Sequence, residues 1–193
     1  LKKKKVARAK ARRLVRHLFD VYQAHTNYRG GPYRPAYWTM TNHAGLGGIT
    51  GALPSGRRTG ELFASGITPV SGAAPELTAC LNAVAELGGE EVPGCWALNI
   101  KYRPEDDAAA MSERFAQVIE AYFRAGGQQV QFNIMDYAML IDAKKHPENY
   151  PELMVRVSGY SAYFKDLNSL MQDELITRAT YDLTDGQMVP CPP

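Results

Sequence analysis

The sequence holds few of the residues that usually announce a function. Only three cysteines, Cys80, Cys95 and Cys191, occur among 193 residues, far apart and with no Cys-x-x-Cys pair. That usage argues against a disulfide framework. None of the four histidines, His17, His25, His43 and His146, stands at metal-ligand spacing from another ligand, so no zinc site is expected. A reducing cytoplasm fits best. No apolar run approaches the roughly 20 residues that span a bilayer. The N-terminus is basic and lacks the apolar core of a secretory signal. The chain begins with Leu1 rather than Met, which reads as a fragment.

Acid is missing from residues 1–16, which carry nine Lys/Arg, whereas the remainder holds 13 Lys/Arg against 20 Asp/Glu. A basic helix suits nucleic acid, but no aromatic stacking platform or reading motif accompanies this one. A solvated face, or one that docks on an acidic partner surface, is the expectation. With 45% hydrophobic and 22% charged residues, the rest reads as an ordinary globular chain.

Periodicity predicts a helix over 3–26, with Leu14, Leu18, Val21 and Tyr22 on one face. Residues 27–75 are rich in Gly, Pro, Ser, Thr and Tyr and read as irregular; so long a stretch is usually functional or packed against something else. A helix is expected over 76–88, with Cys80 on its buried stripe. Strands are expected at 96–101, 128–134 and 152–157. Helices are expected from Pro104 to Gly126, where acids favour the start and glycine the end, then over 136–145 and 166–179. The tail to Pro193 reads as irregular. This alternation implies an α/β fold with three parallel strands and right-handed crossovers. The open edges of such a sheet call for further strands. Two portions are expected: residues 1–75, and an α/β portion over 76–193.

Several motifs fail on inspection. Gly51 to Thr59 has P-loop spacing but places Arg57 where lysine is required and Pro54 inside the cradle. Gly45-Leu46-Gly47-Gly48 misses the third glycine of a dinucleotide fingerprint. Gly159-Tyr160-Ser161-Ala162-Tyr163 lacks the closing glycine of a nucleophile elbow. Cys95, where a loop enters a strand, reads as structural.

Gly159 stands apart. Alone, Arg156-Val157-Ser158-Gly159-Tyr160 is a turn after a strand. Its surroundings run Gly126-Gly127-Gln128-Gln129-Val130-Gln131-Phe132-Asn133-Ile134, Asp142-Ala143, His146-Pro147-Glu148-Asn149-Tyr150-Pro151, then Gln172-Asp173-Glu174 and Arg178. This order resembles the glycyl radical domain shared by pyruvate formate-lyase and its relatives, over about 126–181. Weaker resemblance extends upstream through His43, Pro54-Ser55-Gly56-Arg57-Arg58, Ser65 to Gly72, Leu81-Asn82-Ala83-Val84-Ala85 and Leu98-Asn99-Ile100-Lys101. A backbone radical delocalises when its α-carbon flattens, and a side chain there would crowd the planar form.

The resemblance implies the C-terminal portion of a ten-stranded α/β barrel whose glycine loop reaches the centre. It implies a radical on Gly159, flanked by the loop residues Arg156, Val157, Ser158 and Tyr160, with no bound cofactor and no metal. A radical S-adenosylmethionine activase would install the radical. A cysteine from an upstream barrel half would become the thiyl that attacks a small organic substrate, and none of Cys80, Cys95 or Cys191 matches it. A homodimer of the complete enzyme is a further implication; membrane and nucleic acid are not expected partners. Val130-Gln131-Phe132-Asn133 departs from the Leu-Asn-Val-Asn strand of pyruvate formate-lyase proper and points to the branch of dehydratases, decarboxylases and C–C lyases. Thr68 to Pro75 also departs from the usual pattern, and Tyr181 to Pro193 runs past the family's usual end. A stand-alone repair part or small subunit is the alternative.

Overall fold

The computed structural model describes residues 2–103, 106–178, 180–181 and 187–189. The first helix, α1 (Lys2–Gln23), forms as the periodicity predicts, but its buried side is narrower. Val15 is its buried anchor, while Leu14, Val21 and Tyr22 are exposed. Arg8, Arg12 and Arg16, one turn apart, reach Glu86, Glu90 and Glu91 at 2.7, 4.0 and 3.0 Å. Part of the basic face is therefore neutralised by this chain's own acids.

The stretch read as irregular contains a helix, α2 (Asn42–Ile49), that composition hid. Its glycines have poor helix propensity, yet one of them is needed. A Cβ on Gly47 would come within 2.7 Å of the backbone of Leu62 and Phe63, so only glycine lets the returning chain lie against the helix. That chain is held by Arg57. Its guanidinium donates to the carbonyls of Gly47, Thr50, Gly51, Arg58 and Glu61. The residue standing at the P-loop lysine position is thus occupied by its own loop.

Helix α3 (Leu77–Ala85) buries Leu77, Cys80, Leu81 and Val84 as expected. Strand β1 (Asn99–Tyr102) is buried at every position. Helix α4 (Ala108–Arg124) starts later than the sequence suggested: Asp107 caps it by accepting from the amides of Ala109 and Ala110. Pro104 and Glu105, read as the helix start, lie outside the described residues. The helix ends at Gly126, whose φ of +100° suits a left-handed stop. Strand β2 (Gln131–Ile134) then pairs parallel with β1, Asn99 opposite Gln131. Phe115 of α4 packs edge-on against both Tyr102 and Phe132, at 4.9 Å each, and so fixes the crossover on the sheet.

The third strand differs from expectation. Residues β3 (Met154–Arg156) do not join the parallel sheet; they pair antiparallel with β4 (Ser161–Tyr163) in a separate hairpin. The parallel neighbour of β1 is instead β5 (Thr180–Tyr181), which pairs antiparallel with β6 (Met188–Val189). The tail is therefore not wholly irregular. Sheet order is β2-β1-β5-β6. Between β2 and β5 come α5 (Tyr137–Lys145), the hairpin and α6 (Ser169–Thr177). Two apolar clusters result. One joins α3, α4 and the sheet; the other gathers Leu140, Val155, Val157, Phe164, Met171 and Leu175 beneath the hairpin. The α/β class with parallel central strands and a crossover helix stands.

Candidate functional site

The hairpin turn carries Gly159 at its tip, with φ of +82°. An L side chain rarely adopts that angle, so the bend itself favours glycine. Space does not: a Cβ there would have only Trp38 Nε1 within contact range, at 3.8 Å. The Val157 amide donates to the Tyr160 carbonyl at 2.9 Å and closes the turn. Val157 and Ser158 are fully buried, Tyr160 is half-buried, and Gly159 is exposed. Arg156 points outward and donates to Ser161 Oγ at 3.3 Å. All five loop residues named from the sequence thus sit together on one tight turn.

Three side chains from distant parts of the chain grip successive residues of that turn. Arg178 Nη1 donates to the Val157 carbonyl at 3.2 Å. Trp38 Nε1 donates to the Ser158 carbonyl at 3.1 Å. The Gly159 amide donates to Gln131 Oε1 at 3.0 Å. Sequence reasoning gave these three no role. Gln131 and Arg178 lie within the motif; Trp38, 120 residues from Ser158, carries no local signal at all.

Arg178 is itself held by a buried carboxylate. Its Nη2 and Nε donate to Glu174 Oε2 and Oε1 at 2.7 and 3.0 Å, a bidentate pair. His43 Nε2 lies 3.7 Å from Glu174 Oε1, and Thr39 Oγ1 lies 3.2 Å from His43 Nδ1. Burial acts to raise the Glu174 carboxyl, but His43 and the Arg178 guanidinium outweigh it and hold the group below the ordinary carboxylate range. Glu174 is therefore an anion at neutral pH, and Arg178 presents a fixed cation to the turn. Beside this pair opens a cavity of about 270 Å³ lined by Ser65, Thr68, Glu174 and Arg178 among others.

The cysteines divide. Cys80 is buried, and burial pushes its thiol up to about 11, so it is inert core. Cys95 is exposed and has a φ of +72°, unusual for a residue with a side chain. Its carbonyl and amide serve the loop, accepting from Tyr37 and donating to Val92. Cys191 lies outside the described residues. Among the described residues no group of three His, Cys, Asp or Glu could hold a metal ion, and no helix is long and apolar enough to cross a membrane.

Comparison with known proteins bears on this turn. A family model described as glycine radical matches residues 63–165. The chain is 38% identical to an indoleacetate decarboxylase of Tractidigestivibacter scatoligenes over 161 residues, 81% of this chain and 18% of that protein. It is 32% identical to a trans-4-hydroxy-L-proline dehydratase of Clostridioides difficile over 171 residues, 86% of this chain and 22% of that protein. Among solved structures, one from Roseburia inulinivorans described for 1,2-propanediol dehydration superposes with a TM-score of 0.80 at 36% identity, covering 84% of this chain and 21% of that one. The chain spans about a fifth of the length of the curated relatives it matches. Its α/β architecture corresponds to part of a glycyl radical enzyme barrel. A family match across more than half of the sequence, joined to that superposition, shows that the chain belongs to the glycine radical family.

Proposed function

We propose that Gly159 is the residue that stores the radical, and that Arg156, Val157, Ser158 and Tyr160 form its loop. One observation carries this reading: Gly159 is the exposed, left-handed tip of a turn inside the matched segment, gripped by bonds from three distant side chains.

The reaction runs in hydrogen-atom steps. A radical S-adenosylmethionine activase removes one hydrogen atom from Gly159. The glycyl radical then takes a hydrogen atom from a cysteine thiol on an upstream barrel half, leaving a thiyl. The thiyl takes hydrogen from a strong C–H bond of a small organic substrate, C–C or C–heteroatom cleavage follows, and the hydrogen returns to the product. This chain supplies the radical store and needs no bound cofactor of its own. The relatives include a decarboxylase, a dehydratase and, at 31% identity, a formate acetyltransferase of Haemophilus influenzae, and the preference for the diverse lyase branch rests on Val130-Gln131-Phe132-Asn133. A homodimer of the complete enzyme in a reducing, anaerobic cytoplasm completes the reading. As domains, residues 1–75 belong to the barrel and 76–193 hold the radical portion.

The test is electron paramagnetic resonance after anaerobic incubation with an activase competent on a full-length relative, with the upstream half added where it exists. The expected spectrum is a glycyl doublet, absent in Gly159→Ala. An unaltered doublet in Gly159→Ala, or none from the native chain, overturns the assignment.

A further inference from the structure

The Ser158–Gly159 peptide group has two polar atoms, and each is held by a side chain remote in sequence. Trp38 donates to its carbonyl oxygen at 3.1 Å, and its N–H donates to Gln131 Oε1 at 3.0 Å. Gln131 sits on β2, where its backbone amide donates to Leu98 at 2.8 Å; Trp38 follows Tyr37, which bridges to Trp96 beside β1. Both grips are therefore anchored on the central sheet, outside the hairpin. We infer that Trp38 and Gln131 are positioning residues that fix the plane of this peptide while the radical forms. The inference rests on the assignment of the radical to Gly159.

The backbone angle gives the clamp a chemical purpose. An α-carbon radical gains stability when its half-filled orbital overlaps the π system of the neighbouring amide. That orbital must stand perpendicular to the Ser158–Gly159 plane. At φ of +82° the bond that stands nearly perpendicular is Cα–C, not either Cα–H. Loss of hydrogen must then be followed by rotation about N–Cα. Hydrogen bonds on both polar atoms resist rotation of the amide plane, so the Tyr160 side of the loop moves instead. The contact that must give is the Val157 amide to Tyr160 carbonyl bond that closes the turn. The clamp keeps the spin-bearing amide in register with the protein while the other half of the turn flattens.

Gln131 also offers a discriminating variant. Its Oε1 accepts from Gly159, whereas its buried Nε2 has no hydrogen-bond partner. Gln131→Glu keeps an acceptor and exchanges the unused donor for a second, charged oxygen; Gln131→Met keeps the length and removes the acceptor. Trp38→Phe keeps a ring and removes the N–H. All three are to be confirmed as folded by circular dichroism.

In the unactivated full chain, hydrogen exchange at the Gly159 amide should be about fivefold faster in Gln131→Met, the equivalent of about 1 kcal/mol for one hydrogen bond. It should be no faster than native in Gln131→Glu, whose carboxylate still accepts the bond. After activation, Gln131→Met and Trp38→Phe should give a doublet of altered splitting that decays about fivefold faster, again one hydrogen bond. Gln131→Glu, which keeps the acceptor, should give a doublet that decays no faster than the native one. Equal exchange in Gln131→Met and native protein, or identical doublets in all variants, overturns the clamp. Absence of a doublet from the native chain sinks the radical assignment instead, and exchange still decides whether the clamp holds.

Discussion

At the scale of the residue, Arg57 shows how far one side chain can organise a loop. Its guanidinium serves five backbone carbonyls between Gly47 and Glu61, and its plane lies over Phe63 at 4.5 Å. A lysine ammonium cannot spread donors over that fork. Arg57→Lys is expected to lower stability by about 1 kcal/mol, since several bonds are lost although most of the freed carbonyls can meet water; the midpoint of urea unfolding measures it. The same residue explains a limit of sequence reading. Its spacing from Gly51 imitates a phosphate loop, and only the fold reveals where its donors point. Gly159 was legible because its motif lies within about fifty consecutive residues. Trp38 was not, because a bond across 120 residues leaves no periodicity or spacing behind.

At the scale of the element, local patterns did well where one face is apolar and poorly where a segment packs through glycine or pairs briefly. Helix α3 and helix α5 matched within a few residues, since the buried stripe of α3 and the Asp136 cap of α5 lie in adjacent positions. Helix α2 was invisible because Gly45, Gly47 and Gly48 depress propensity, while the close approach of Leu62 requires glycine at Gly47 alone. The 152–157 strand was correctly placed but wrongly paired. Three-residue strands cannot declare a partner, and alternation of strand and helix favours the parallel reading. The start of α4 is a cleaner case. Asp107 accepts from two amides, at 3.0 and 3.1 Å. Asp107→Ala should cost about 1 kcal/mol, seen as a fall in melting temperature of about 2–4 °C for a chain of this size. No change would mean that the first turn is held by tertiary packing alone.

At the scale of the molecule, acid sensitivity should centre on the buried Glu174 cluster. The folded carboxyl titrates below its unfolded value of about 4.3. Its ionised form therefore stabilises the fold above that pH, and the contribution is lost as pH falls through the folded value. Melting temperatures of native protein and Glu174→Gln should differ at pH 7 and converge as pH drops below about 4. A gap that persists unchanged into acid would mean that the carboxylate charge plays no part. The charge split between residues 1–16 and the rest, plain in the sequence, does not act as two separate halves, because Arg8 and Arg16 already meet Glu86 and Glu91. The two tryptophans occupy opposite environments. Trp96 is buried and donates to Tyr122 at 3.0 Å, whereas Trp38 is 52% exposed and tied to the glycine turn. The molecule thus contains one tryptophan in the core and one bonded to the turn, and departure of the turn from the body would be written in the fluorescence of Trp38 without any added dye.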